Sequence, residues 1–363
     1  MRHEQAVRFF RAATGTNAIV YHGGCTDGIC SAALATELLE DYGNSAHFVY
    51  GLREPRLSTR SYQTIMRREP TQAFILDLDV HRDPVRVIQM AAEDNVLTLL
   101  VDHHGYHRRG CDEGVGKPAD LGQLSQNIID EHSSRWRVSQ RAEHCTTSWM
   151  IYQIAREAGK EGEDKAWKTV VGLEGDASSH AHPWLCKRVY NRHDPAEIAT
   201  LAEAITLAAD VPNIVRKVAA AERPRDLLED GMLSARYIEQ LQQRDKLVRK
   251  FRKVKRRRGW PVFYEIEAET PFTSHVADRL ARKYHGTTIL VTQKRGNKVN
   301  VSARSNSYDM QMLLQQSTND ICIGRPGGHA RRAGGTIRAD RYEDFQKLFT
   351  FYYRQAVRQS QRI

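Results

Sequence analysis

Cysteine is scarce in this chain: six in 363 residues, at Cys25, Cys30, Cys111, Cys145, Cys186 and Cys322, with no Cys-x-x-Cys pair. That excludes a disulfide scaffold and a closed thiolate zinc site, and it fits an intracellular, reducing compartment, the cytoplasm first or an organelle matrix. No window approaches the roughly eighteen apolar residues that a membrane helix needs. Internal repeats and low-complexity tracts are absent as well, which excludes solenoids and a mainly disordered chain. The first residues carry Arg2, Arg8 and Arg11 but also Glu4, and a strand pattern begins by Ala18. Little room is left for a removable targeting peptide, and a short first helix is expected.

Acidic residues are the minority charge, with 44 Asp and Glu against 54 Lys and Arg, a net charge of +10. The excess is concentrated. Between Leu241 and Trp260 ten basic residues (Arg244, Lys246, Arg249, Lys250, Arg252, Lys253, Lys255, Arg256, Arg257, Arg258) face one acid, Asp245, so nine net charges fall on one segment. Three readings of that run compete: the solvated face of a long helix, a surface that tracks phosphates, or a nuclear-import signal at Lys255 to Arg258. With 40 % apolar and 27 % charged residues, the composition is that of a globular chain long enough for two domains.

Apolar runs alternate with helical periodicity through the first half, the pattern of an α/β domain on a largely parallel sheet. Strands are expected at 17–21, 46–50, 73–78 and 96–101, with helices over 27–42, 84–93, 146–157 and 164–173. The polar stretch 105–144 reads as irregular. Residues 194–255 read as mostly helical, and Trp260-Pro261 ends that run. A second, smaller α/β unit follows, with strands at 262–266, 287–292, 299–303 and 335–338 and helices over 274–284, 308–316 and 342–359.

Acids and histidines recur where the first domain's elements end. His22 and Asp27-Gly28 follow the first strand, Asp77-Leu-Asp79 the third, and Asp102-His103-His104 the fourth, while Glu174-Gly-Asp176 ends a helix. Carboxyl ends of parallel strands converge on one edge, where ligands bind. Singly, each acid fits a helix cap; together, clustered carboxylates call for a cation. Imidazole mixed with carboxylate suits manganese, iron or zinc in a catalytic site, and about five such ligands can hold a pair of ions that activates water against a phosphoryl group.

Two motifs carry a resemblance. Asp102-His103-His104 follows an apolar strand, and much later Val299-Asn-Val-Ser-Ala-Arg304-Ser precedes Gly327-Gly328-His329-Ala-Arg-Arg-Ala-Gly334-Gly335. The chain resembles the DHH phosphoesterase superfamily with a C-terminal DHHA1 domain, in the manner of RecJ and nanoRNases, over roughly residues 17–340. The resemblance implies a DHH metal-binding catalytic domain at 1–193, a basic helical connector at 194–260 and a DHHA1 substrate domain at 261–363. His22, Asp27, Asp77, His103 and Asp176 match positions that ligate two manganese ions, with Mg²⁺ as a substitute. Asp102 would fix the His103 tautomer and His104 would face the scissile phosphate. Arg304, Gly327, Gly328 and His329 match the elements that hold the substrate's phosphate or terminal nucleotide.

The first motif departs from the common Asp-x-Asp form and resembles a branch reading His-x-x-Cys-x-Asp-Gly. Cys25 is therefore either a thiolate ligand or a small buried filler. Asp79 reads either as an outlying acid or as a helix cap. The function expected is a manganese-dependent phosphodiesterase acting on short nucleic acids or nucleotides in the cleft between domains, with no membrane partner. Two alternatives stand beside it: a catalytically silent RNA-binding or assembly protein, and an exopolyphosphatase-like phosphoanhydride hydrolase.

Overall fold

A computed structural model describes the chain apart from residues 1–2, 54–56, 79, 81–83, 104–124, 133–144, 256, 258, 271, 319–325 and 361–363. Two compact units divide at Ile238/Glu239. The first is built on five parallel strands: β1 (Asn17–His22), β2 (Phe48–Leu52), β3 (Gln72–Leu76), β4 (Leu97–Asp102) and β5 (Ile128–His132), in the order β2-β1-β3-β4-β5. Strand periodicity sorts the core to two faces. Ile19, Tyr21, Phe74, Leu76, Leu99 and Val101 enter one cluster, and their alternates Val20, Ala73, Ile75 and Leu100 enter the other.

Chain order reverses between β1 and β3, because β2 lies on the outer side of β1. This is the topological switch point at which open α/β sheets bind ligands beyond their carboxyl ends. His22 closes β1, and Asp77 directly follows β3. Helix α1 (Glu4–Arg11) sets Phe9 and Phe10 against Phe74, with ring centroids 5.1 and 4.8 Å apart. Helix α2 (Thr26–Glu40) is buried from Thr26 to Leu39. A helix without a polar stripe must be surrounded. Helices α5 (Thr147–Glu157), α6 (Glu163–Gly175), α8 (Pro195–Leu207) and α9 (Ile214–Ala220) pack on it; α3 (Thr59–Met66), α4 (Val85–Ala92), α7 (Pro183–Tyr190) and α10 (Pro224–Leu228) complete the unit. Ile198, Leu201, Ile205, Val215 and Val218 of α8 and α9 lie in the core of this first unit, inside the segment the sequence reads as a connector. Helix α11 (Gly231–Lys250) runs across the division between units.

The second unit has five strands: β6 (Val262–Glu265), β7 (Ile289–Arg295), β8 (Lys298–Arg304), β9 (Gly327–His329) and β10 (Arg332–Arg338), in the order β6-β7-β8-β10-β9. β6 pairs in parallel with β7, and the remaining pairs are antiparallel. Gly296, at φ +58°, turns the β7–β8 hairpin. Helices α12 (Thr273–Lys283), α13 (Met310–Thr318) and α14 (Tyr342–Ser360) cover the sheet, with Leu290, Val301, Leu313, Phe345 and Phe349 at the centre. The mixed α/β class, the parallel first sheet, the helical region and the smaller C-terminal sheet are those expected from the sequence. Among the described residues, no helix is long and apolar enough to cross a membrane.

Candidate metal centre

Asp27 lies in the first turn of α2 and is fully buried. Its carboxylate meets the N-terminus of α5, where the amide N–H groups of Thr147 and Ser148 donate to Oδ2 and Oδ1 at 2.8 and 3.0 Å and the Ser148 hydroxyl donates to Oδ1. The first N–H groups of a helix have no intrahelical acceptor, so they hold a carboxylate well. The approach is tight: a Cβ on Gly172 would lie 2.3 Å from Ser148 Oγ and 3.0 Å from Asp27 Oδ1.

Asp77 takes the left-handed conformation, φ 57°, just past β3, a region that Asp tolerates better than most side chains. Its N–H donates to the carbonyl of Val101 at 3.0 Å, and the Thr147 hydroxyl donates to its Oδ1 at 3.2 Å. His103, just beyond β4, brings Nε2 to 3.1 Å from Asp77 Oδ1, 3.6 Å from Asp176 Oδ2 and 3.9 Å from Asp27 Oδ2. On the other side of Asp77, His22 Nδ1 lies 3.6 Å from Oδ2 and the Cys25 thiol donates to Oδ2 at 2.9 Å.

Five expected ligands, His22, Asp27, Asp77, His103 and Asp176, thus come together with Cys25. Asp102 is buried at the end of β4, beside His132 of β5 in register. His104 and Asp79 lie outside the described residues. His182 packs on Trp149, ring centroids 4.1 Å apart, and His180 lines a cavity with Glu174 and Tyr190.

Electrostatics tests whether a cation fits. Burial, then the charges of Asp77 and Asp176, push the Asp27 carboxyl up to about 7. Burial works against protonation of His103, yet the hydrogen bond to Asp77 and the charges of Asp77, Asp176 and Asp27 hold its imidazole protonated well above the ordinary range. Anions packed this closely trap protons until a cation replaces them. Donor atoms of Asp27, Asp77 and His103 lie within 4.8 Å of one another, as do those of His22, Cys25 and Asp77. The cluster therefore has the donors, the spacing and the concentrated negative charge for a metal ion.

In the second unit the expected phosphate-binding residues form one cross-strand row. Arg304 of β8 faces Arg332 of β10, which in turn faces His329 of β9, while Gly327 and Gly328 pair with Gly334 and Ala333. Arg304 is buried, and its guanidinium donates to Asp278 Oδ1 at 2.6 Å, to Ser274 Oγ at 2.7 Å and to its own strand at Ala303 O. Arg332, more exposed, donates to Asp278 Oδ2 at 2.9 Å. Burial opposes ionisation of Asp278, but Arg304 and Arg332 hold its carboxyl below the usual range.

Sequence alone does not nominate Thr147, Ser148, Asp278, Ser274 or Arg332. Cys145-Thr-Thr-Ser before an apolar helical run is a helix-start signal that could have pointed to the first two.

Residues 261–354 match the model of the DHHA1 domain family. No curated protein matches the chain in sequence. Among solved structures, a DHH-domain protein described as a member of a family of ribosomal proteins superposes over 96 % of this chain and 89 % of its own, with TM-score 0.73 and 14 % identity. RecJ from Thermus thermophilus, in complex with Mn²⁺, superposes over 97 % of this chain with TM-score 0.70 and 14 % identity; the chain spans 55 % of that protein's length. An exopolyphosphatase-related protein from Bacteroides fragilis covers 97 % and 96 %, with TM-score 0.59 and 12 % identity. The C-terminal unit thus matches the DHHA1 domain family, and the chain as a whole has the fold of these DHH-domain structures. The structural neighbours also include the exonuclease RecJ bound to manganese, and at these identities the likeness establishes the fold alone.

Proposed function

We propose that the protein is a metal-dependent phosphodiesterase acting on short nucleic acids or nucleotides, with Mn²⁺ as its working ion and Mg²⁺ as a substitute. The observation that carries this reading is the convergence of Asp27, Asp77, His103 and Asp176 at the carboxyl edge of a parallel sheet, beside its switch point. His22 extends the donor set through Asp77. When bound there, the ions would supply Lewis acidity and a water of lowered pKa. The chain's own part is positioning: the N-terminus of α5 fixes Asp27, Thr147 fixes Asp77, and buried Asp102, next to His103 in the chain, is assigned to fix its tautomer. His104 is assigned to charge on the phosphoryl oxygens.

The DHHA1 unit would hold the substrate's phosphate with the Gly327-Gly328-His329 strand, whose glycines admit close approach to backbone N–H groups. Arg304, bound to Asp278, acts there by setting the Asp278–Arg332 pair, and Arg332 offers the more accessible guanidinium. Lys246, Arg249, Lys250, Arg252, Lys253, Lys255 and Arg257 are exposed, and a polyanion is the partner such a strip favours over a small free diphosphate.

The test is steady-state hydrolysis of oligoribonucleotides, single-stranded DNA, cyclic dinucleotides and polyphosphate with Mn²⁺. Turnover of a nucleic acid or dinucleotide supports the reading. Turnover of polyphosphate alone, or of none of the four, overturns it.

A further inference from the structure

Asp77 presents its two carboxylate oxygens to different partners. Oδ1 faces His103 Nε2 at 3.1 Å, in the group that includes Asp27; Oδ2 faces the Cys25 sulfur at 2.9 Å and His22 Nδ1 at 3.6 Å. Each trio, Asp27–Asp77–His103 and His22–Cys25–Asp77, gathers its donor atoms within 4.8 Å. The first trio offers two carboxylates and an imidazole. The second offers an imidazole, a carboxylate and a sulfur.

Resting on the metal centre proposed above, we infer that the two subsites are chemically unlike. The His22–Cys25–Asp77 subsite would hold a thiophilic divalent cation of the zinc type, and the Asp27–Asp77–His103 subsite the harder ion, one Asp77 carboxylate oxygen facing the donors of each. Soft thiolate donors select zinc-like ions over manganese, whereas carboxylate-rich sets accept Mn²⁺ and Mg²⁺.

The alternative is that Cys25 is a small filler, and the structure distinguishes it from the cysteines that are. Cys30, Cys145 and Cys186 belong to the hydrophobic core, whereas Cys25 is partly exposed and stands outside it. Its sulfur caps α2, accepting the Gly28 N–H at 3.2 Å, so backbone fixes its position beside Asp77. Capping does not explain the choice of residue, since Ser, Thr, Asp and Asn cap helices better than most side chains. Gly28, whose N–H the sulfur accepts, is itself confined: a Cβ there would lie 2.2 Å from the His22 carbonyl oxygen and 3.0 Å from Asp77 Oδ2. When the sulfur–metal bond forms, the thiol proton passes to solvent.

Cobalt(II) provides the probe, because sulfur ligation gives it a near-ultraviolet charge-transfer band that oxygen and nitrogen ligation do not. Full-length protein stripped with chelator and titrated with Co²⁺ is expected to develop that band with the first equivalent. Cys25→Ser, which keeps a capping oxygen, is expected to lose it, while Asp27→Asn, which alters the other trio, keeps it. Cobalt binding to the wild type without the band, or a band that survives in Cys25→Ser, overturns the inference; thermal melting of each variant shows that loss of the band is not loss of fold. As a second readout, Cys25→Asp dialysed against Mn²⁺ with trace Zn²⁺ is expected to retain zinc at least about tenfold less well than wild type, and equal retention overturns the inference. Oligoribonucleotide hydrolysis by wild-type protein that binds cobalt without the band would overturn this inference and leave the hydrolase reading standing; a wild-type band without hydrolysis would support the inference and sink the hydrolase reading.

Discussion

Asp27 concentrates the physical problem that the site solves. It is buried, it accepts three hydrogen bonds from Thr147 and Ser148, and it stands among other anions. Ser148→Ala removes the hydroxyl and leaves the amide, so Mn²⁺ affinity measured by calorimetry should fall about tenfold, the lower end of what loss of a ligand's supporting partner does. Protonation supplies a second check. In metal-free protein the Asp27 carboxyl is raised from 3.8 to about 7, so the native state binds a proton that the unfolded chain has already lost. That contribution to stability is complete below about pH 4 and is lost as pH rises toward 7. The melting temperature of the stripped protein should therefore drop across this window, and added Mn²⁺ should restore more stability at the upper end than at the lower, because metal and proton compete. An unchanged profile in Asp27→Asn would remove Asp27 as the cause.

At the level of elements, the site depends on helices brought closer than side chains normally allow. Gly172 of α6 has no room for a Cβ against Ser148 of α5, so Gly172→Ala should cost about 1–3 kcal/mol and lower both melting temperature and metal affinity. Much of this scaffold was legible in the sequence. Strand alternation in Phe74, Ile75 and Leu76 and the apolar run of α2 are strong local signals, and the acids at strand ends follow from topology. The supporting groups were not legible for a different reason. Thr147, Ser148 and Asp278 act through residues distant in the chain: Ser148 meets Asp27 across 121 positions, and Asp278 meets Arg304 across 26. Strand β5 has no strong sequence signal because Ile-Ile-Asp-Glu-His is short and mostly polar, and its pairing with β4 rather than its composition makes it a strand. Arg304 reads as a free phosphate ligand in the sequence, which names a guanidinium but not the carboxylate that occupies it. Asp278→Asn should release both arginines, and weaker nucleotide binding by this variant would show that the pair orders the row, whereas unchanged binding would count against that role.

Across the whole molecule, the charge excess that composition reports as +10 is mostly one surface strip. Helix α11 ends at Lys250 and a single 3₁₀ turn follows, so the run is not one long helix. Phe251 anchors it by packing on Tyr264 and Tyr284, with ring centroids 5.2 and 5.1 Å apart, and the Tyr264 hydroxyl donates to the Leu247 carbonyl at 2.6 Å. Arg257 and Arg354 each lie 4.7 Å from the Trp260 ring. An anchored strip with outward charges is suited to phosphates along a strand. Replacing Arg249, Lys250, Arg252 and Lys253 with Gln should weaken single-stranded RNA binding and flatten the dependence of log Kd on log salt by about 0.7 for each phosphate no longer neutralised. An unaltered salt slope would return the strip to a merely solvated surface.

As proposed above, the buried cluster around Asp77 is a metal centre that hydrolyses phosphodiesters. The most direct test of that assignment is turnover of a short end-labelled oligoribonucleotide by chelator-stripped protein as Mn²⁺ is added back, with wild type and Asp77→Asn run side by side. Wild type should go from inactive to active as the metal is restored, and Asp77→Asn should stay at least about a hundredfold slower at every concentration. Cleavage by stripped protein without added metal, or equal activity of Asp77→Asn, would overturn that assignment.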